Sequence, residues 1–223
     1  MISKELISER IQHFHSIVPD GVELVAVSKF QPVEAIRYAY EAGQRIFGES
    51  RVQELLEKVD KLPADVKWHF IGHLQTNKVK SLIGKTSLIE SVDSLRLLEL
   101  INKESQKVVI KTEVLLQVHV AEEETKFGFS PEELIDLFAA GLDLEFVVIR
   151  GLMAMASNTE DMDRVRRDFN LASSLFKKIK DNYAVDGRFD LLSMGMSGDW
   201  PLAVEEGANI IRIGSSIFGP RNY

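Results

Sequence analysis

Short apolar runs alternate with amphipathic stretches from one end of the chain to the other. Eight of the runs read as strands, at residues 22–28, 45–47, 68–71, 88–91, 114–120, 148–153, 190–194 and 210–213. They are rich in Val, Ile, Leu and Phe and apolar on both faces, the pattern of parallel strands covered from both sides. The stretches between them read as helices. Met162, Val165, Phe169, Ala172, Leu175, Phe176, Ile179 and Tyr183 recur at spacings of three and four and predict a long amphipathic helix. Val33, Ile36, Ala39 and Tyr40 make a shorter stripe, as do Val52, Leu55, Leu56 and Val59. Ser130-Pro131-Glu132-Glu133 joins a capping serine, a proline at the first helical position and a glutamate at the third, a helix start. One further helix, roughly residues 3–17, precedes the first strand.

Eight βα alternations fit a closed barrel or an open doubly wound sheet. The count of eight favours the barrel, as does a chain end about ten residues after the last strand. No linker rich in Gly, Pro or Ser divides the sequence. The expectation is one domain over residues 1–223, a single-domain (β/α)8 TIM barrel of the α/β class with an extra N-terminal helix.

Composition narrows the chemistry. A chain of 223 residues, 45% hydrophobic and 27% charged, can bury a large core without disulfides or structural metal. It has no cysteine, which removes thiol nucleophiles, Cys-ligated zinc and iron–sulfur clusters, and which fits a cytoplasmic location. The net charge of −7 argues against a nucleic-acid partner, although a pocket for one small anion needs only a few groups. The opening MISKELISERIQHFHSI is charged throughout, and no apolar run approaches the ~18 residues of a membrane span. No membrane partner is expected. His13 and His15, two apart on a helix, do not share a face. Gly72 and a strand-like run separate His69 from His73, so no metal site is expected. Glu122-Glu123-Glu124 reads as a solvated loop.

Three places can carry chemistry. Lys29 follows Leu24-Val25-Ala26-Val27-Ser28 at the carboxyl end of a buried strand, the end that forms the active face of barrels. Partial desolvation there lowers an amine's pKa and frees its lone pair for a carbonyl; the plainer alternative is a lysine that reaches from a strand end into solvent. Asp190-Leu191-Leu192-Ser193-Met194-Gly195-Met196-Ser197-Gly198-Asp199 runs from a strand into a small-residue turn that suits a phosphate or is a plain βα turn. In Ile210-Ile211-Arg212-Ile213-Gly214-Ser215-Ser216, Arg212 points opposite Ile211 and Ile213 and needs an acceptor, a ligand or an ion pair across the barrel. Barrel phosphate sites commonly use the loops after strands seven and eight, and closure makes strand eight the neighbour of strand one. A lysine for an aldehyde beside a cradle for a phosphate describes pyridoxal phosphate.

These residues also carry a resemblance. The motifs are Ala26-Val27-Ser28-Lys29, Phe47-Gly48-Glu49, His69-Phe70-Ile71-Gly72-His73-Leu74-Gln75-Thr76-Asn77-Lys78, Lys126-Phe127-Gly128-Phe129, Gly151-Leu152-Met153, Leu192-Ser193-Met194-Gly195-Met196-Ser197, Arg212-Ile213-Gly214 and Ile217-Phe218-Gly219. In this order and spacing, along nearly the whole length, the chain resembles the YggS/PROSC-type pyridoxal phosphate homeostasis family. The resemblance implies a barrel similar to the N-terminal domain of bacterial alanine racemases. It implies a cofactor-binding set of Lys29, Met196, Ser197, Arg212, Gly214 and Ser215. Within that set Lys29 holds pyridoxal 5'-phosphate covalently as a Schiff base, Ser197, Gly214 and Ser215 hold the phosphate, and Arg212 faces the pyridine nitrogen. Two positions depart from the family pattern, Ser50 where Asn is common and Phe30 where Thr is common.

Pyridoxal enzymes draw electrons through a protonated ring nitrogen, usually backed by a carboxylate. Arginine keeps its proton, so Arg212 would donate to an unprotonated nitrogen and weaken that electron sink. Racemases with this arrangement add a tyrosine from a second domain, and a chain ending at Tyr223 is expected to lack it. The leading expectation is a cofactor carrier or regulator in vitamin B6 and amino-acid homeostasis, without catalytic residues, monomeric, with amino acids and apo-enzymes as partners. The alternatives are a pyridoxal-phosphate-dependent racemase and an aldolase that uses Lys29 without cofactor.

Overall fold

The computed structural model describes residues 3–121, 127–183 and 187–220. Glu122, Glu123, Glu124, Lys126 and Tyr223, which entered the sequence reading, lie outside the described residues. Helix α1 (Lys4–Ile17) starts at Ser3, whose hydroxyl accepts from the Leu6 N–H, and it buries the stripe Ile7, Ile11 and Phe14. Then strands and helices alternate: β1 (Glu23–Val27), α2 (Val33–Glu41), β2 (Ile46–Glu49), α3 (Val52–Val59) and β3 (Lys67–Phe70). After a 3-10 turn at Thr76–Lys78 come α4 (Val79–Leu82), β4 (Leu88–Val92), α5 (Leu95–Val108), β5 (Thr112–Val118) and α6 (Pro131–Ala140). The rest is β6 (Val147–Ala154), α7 (Met162–Asn182), β7 (Leu191–Ser193), α8 (Trp200–Glu205), β8 (Ile210–Ile213) and α9 (Ser215–Phe218).

All eight strands are parallel and pair in chain order, and β8 closes on β1 with Val25 beside Arg212 and Ala26 beside Ile213. Each expected strand is present, so the fold is the closed barrel with its extra N-terminal helix. The ends move by one or two residues in either direction, β1 and β7 being shorter than expected and β6 longer. β2 runs on to Glu49, whose carbonyl accepts from Ile71, while Gly48 accepts from Ser28.

The core has two layers because strand side chains alternate. Outward strand residues such as Phe47, Phe70, Leu116 and Ile211 pack under the helices, whose own buried stripes include Leu98 and Phe169. Inward, Val25, Leu88, Leu115, Met153 and Ile210 make an apolar floor. Two residues on toward the carboxyl ends, the same faces carry Glu90, Gln117 and Arg212, joined by His69 and Ser193, all buried. The expectation of strands apolar on both faces therefore holds for the floor only. Polar side chains can be buried above it because they satisfy one another.

Candidate functional site

The Lys29 turn is built where β1 runs out. Gln31 N–H donates to Ser28 C=O at 3.0 Å, making a four-residue turn with Lys29 and Phe30 at its centre. Phe30 has φ of +64°, the sign that the third position of a type II turn requires and that Gly or Asn usually supplies. Lys29 is partly buried at the carboxyl end of the barrel and Phe30 is 41% exposed. Beneath the turn, Glu49 Oε1 accepts from Ser28 Oγ at 2.6 Å and from Lys58 Nζ at 2.8 Å. Its Oε2 is buried without a hydrogen-bond partner among the described residues. Burial raises the Glu49 carboxyl above the usual glutamate range, against the opposing pull of Lys58 and Ser28.

The loops after β7 and β8 meet. Gly214 N–H donates to Ser197 Oγ at 3.4 Å. A Cβ at Gly214 would lie 3.3 Å from Val27 Cβ and 3.4 Å from Val27 O, so the glycine lets the β8 end press against β1, two residues before Lys29. Ser197 is half-buried and Ser215 exposed. Met196 is exposed, and its N–H donates to Asp199 Oδ1 at 2.5 Å. Burial raises the Asp199 carboxyl, with the Met196 N–H and the Arg212 charge pulling the other way.

Below lies a hydrogen-bonded belt across the barrel. Arg212 Nη1 donates to Ser193 Oγ at 2.5 Å, and Nη2 donates to Ala154 C=O at 2.9 Å. Ser193 Oγ donates to Glu90 Oε2 at 2.6 Å, and His69 Nδ1 meets Glu90 Oε1 at 2.6 Å. Arg212 Nη1 stands 3.7 Å from Glu90 Oε2. Burial alone would raise Glu90, but His69, the Arg212 cation and the Ser193 hydroxyl outweigh it and hold the carboxyl low. An ionised Glu90 puts the shared proton on His69 Nδ1. Burial pulls the Arg212 guanidinium down while Glu90 and Asp199 push it back up. It stays charged, since arginine does not deprotonate in proteins.

Lys29, Ser197, Gly214 and Ser215 thus gather at the carboxyl end of adjacent strands, with Arg212 buried beneath. Glu90 and His69 are the partners that sequence reasoning missed. The signal was a glutamate inside Leu88-Ile89-Glu90-Ser91: a charge in a buried run must be paired. His73 goes elsewhere, to the rim, with Nδ1 2.8 Å from Asp93 Oδ2 and its ring stacked on Phe127 at 4.0 Å. Among the described residues no three His, Asp or Glu side chains gather as metal ligands, and no helix is long and apolar enough to cross a membrane.

This closed barrel with a lysine after its first strand is of the class that opens the alanine racemases. The family described as "Alanine racemase, N-terminal domain" matches residues 2–222. A pyridoxal phosphate homeostasis protein of Aquifex aeolicus is 45% identical over 90% of this chain and 88% of its own length. One of Schizosaccharomyces pombe is 38% identical over 97% of this chain and 91% of its own. PipY of Synechococcus elongatus PCC7942, solved with pyridoxal phosphate (PLP) bound, superposes with a TM-score of 0.88 at 38% identity, covering 96% of this chain and all of that one (100%). The chain belongs to the pyridoxal phosphate homeostasis protein family.

Proposed function

We propose that this chain binds pyridoxal 5'-phosphate covalently through Lys29 and acts as a carrier or regulator of the cofactor, without substantial catalysis of its own. The observation that carries the reading is the meeting of three loops over a buried cation. The Lys29 turn, the Ser197 loop and Gly214-Ser215 converge, the last two joined by the Gly214–Ser197 hydrogen bond. An amine, a set of hydroxyl and amide donors, and a guanidinium are what an aldehyde, a phosphate dianion and a ring nitrogen ask for. The cofactor, when bound, supplies an aldehyde that captures primary amines and a ring that can draw electrons from them.

Each residue then has a task. The Ser197 hydroxyl and the Gly214 and Ser215 amides take the phosphate, the Gly214 N–H by turning from its long 3.4 Å contact with Ser197 Oγ. The Ser215 amide is available because hydrogen bonding within α9 begins only at Ile217 N–H. Met196 has spent its N–H on Asp199 and contributes by shaping the loop. Arg212, fixed by Ser193 and the Ala154 carbonyl, faces the ring nitrogen and donates to it. A group that never yields its proton leaves that nitrogen unprotonated, which weakens the electron sink that free carbanions need. Amino acids compete for the aldehyde, and apo-enzymes receive the cofactor from this monomeric, cytoplasmic carrier.

The test is an absorbance spectrum of the protein with pyridoxal phosphate, before and after borohydride, with mass mapping of the modified peptide. Lys29→Ala should lose the visible band. The same band in that variant, with the adduct trapped on another lysine, would overturn the assignment.

A further inference from the structure

The two peptide groups that flank Lys29 are both gripped by charged side chains of α3. On the near side, Lys58 Nζ donates to Ser28 C=O at 3.0 Å. On the far side, Phe30 N–H donates to Glu54 Oε2 at 2.8 Å. The two grips are joined, since Lys58 Nζ also stands 3.4 Å from Glu54 Oε2 and 2.8 Å from Glu49 Oε1. Arg51, just before the helix, lies over the Phe30 ring at 4.6 Å and 3.7 Å from Glu54 Oε1.

A grip here has work to do. Phe30 has a bulky side chain at a φ of +64°, a conformation that costs a non-glycine residue and persists only where its surroundings over-determine it. Released, the turn would relax toward negative φ and swing the Cα of Lys29. The stripe of Val52 and Leu55 already seats α3 on the barrel, so packing of the helix does not by itself call for three charged groups at this corner.

We propose that Glu54 and Lys58 are positioning residues for Lys29: together they clamp the peptide groups on either side of it and hold the strained turn that aims its amine at the barrel mouth. This rests on the reading of Lys29 as the cofactor lysine. The clamp acts on the backbone, through the Ser28 carbonyl and the Phe30 N–H. Glu54 is the better test position, because it is partly exposed and its loss leaves Lys58 paired with Glu49.

The experiment measures the rate at which the visible band forms after adding pyridoxal phosphate to apoprotein, and the fraction of the Lys29 peptide trapped by borohydride. It compares wild type, Glu54→Ala, Glu54→Ala with Phe30→Gly, and Lys29→Ala, all well below their melting temperatures. Glu54→Ala should form the band about tenfold more slowly, the kinetic equivalent of roughly 1.4 kcal/mol. Adding Phe30→Gly should recover most of that loss, because glycine takes positive φ without penalty. A simple loss of stability would lower the melting temperature without slowing the band, and glycine would not correct it. A wild-type rate in Glu54→Ala, or no recovery with Phe30→Gly, overturns the clamp while leaving Lys29 in place. An adduct that survives Lys29→Ala overturns the Lys29 reading and the clamp with it.

Discussion

A guanidinium inside a barrel is tolerable only when charge and hydrogen bonds compensate its desolvation. Arg212 has both, from Glu90, Ser193 and the Ala154 carbonyl. Removing one partner of a buried pair costs about 3–5 kcal/mol, and Glu90→Gln, which keeps the volume, should cost about 3 kcal/mol at neutral pH. The deficit should depend on pH. Glu90 is held below the usual glutamate range in the fold. Its contribution is therefore full above that range and fades as pH falls through the lower folded value. Urea midpoints of wild type and Glu90→Gln should converge in acid; a constant gap would mean that Glu90 is already protonated in the native protein. At the mouth, Ser197 is half-buried in a loop, so Ser197→Ala should fold normally. A charge-assisted hydrogen bond to phosphate contributes about 1.5–3 kcal/mol, so retention of pyridoxal phosphate in equilibrium dialysis should weaken roughly tenfold or more. Unchanged retention would place the phosphate elsewhere.

At the scale of elements, a strand presents a site only if its neighbours can approach it. Gly151 in β6 has φ of +153°, and a Cβ there would lie 1.7 Å from Leu191 O in β7. It sits where the β5–β6 register shifts between Val114 and Leu115, the irregularity that sets Leu115 beside Gly151 and Gln117 beside Met153. Gly151→Ala should force β6 and β7 apart and destabilise by roughly 3 kcal/mol or more, the upper end of overpacking costs. Thermal melting would show it, together with weaker cofactor retention, because β7 carries Ser193 and leads into Ser197. A melting temperature equal to wild type would refute the close approach. The helices are more forgiving. The capping box of Ser130 and Glu133 at α6 and the Asp161 cap of α7 fix where those helices begin, on the outside of the barrel.

The whole molecule decides what the Arg212 cation can do. Its belt draws Arg212 from β8, Ser193 from β7, Ala154 from β6, Glu90 from β4 and His69 from β3, so five strands of a closed barrel hold one charge in place. Such a charge does not protonate the ring nitrogen, so on the proposed carrier function proton loss at an amino acid's alpha carbon should be negligible. Incubating holoprotein with single amino acids in deuterated water should leave the alpha hydrogen unexchanged. Rapid exchange with scrambled stereochemistry, lost in Lys29→Ala, would make the protein a racemase. The N-terminal helix belongs to the same scale. α1 reaches the β8 side through Arg10 Nη1, which donates to Ile217 C=O at 3.1 Å, and through Phe14 edge-on to Trp200 at 6.3 Å. It thereby braces the segments that follow the Ser197 and Gly214 loops.

Period and composition alone determined the eight strands, the helices between them, the helix before β1 and the strand ends that carry Lys29, Ser197 and Arg212. These follow from local rules, since alternation, capping and an apolar run are properties of a few neighbouring residues. The resemblance then supplied the roles proposed for those three positions, which local pattern leaves open between a ligand contact and a plain turn or ion pair. Only the tertiary structure decided what stands behind them. Glu90 and Ser193 are 103 residues apart in sequence and bond across the barrel interior, which no window along the chain can reveal. Phe30 is a poor residue for a positive φ by its own propensity, and it is held there by Glu54, 24 residues further on. Barrel closure brings such residues together, because each strand must choose its register by its neighbours on both sides at once.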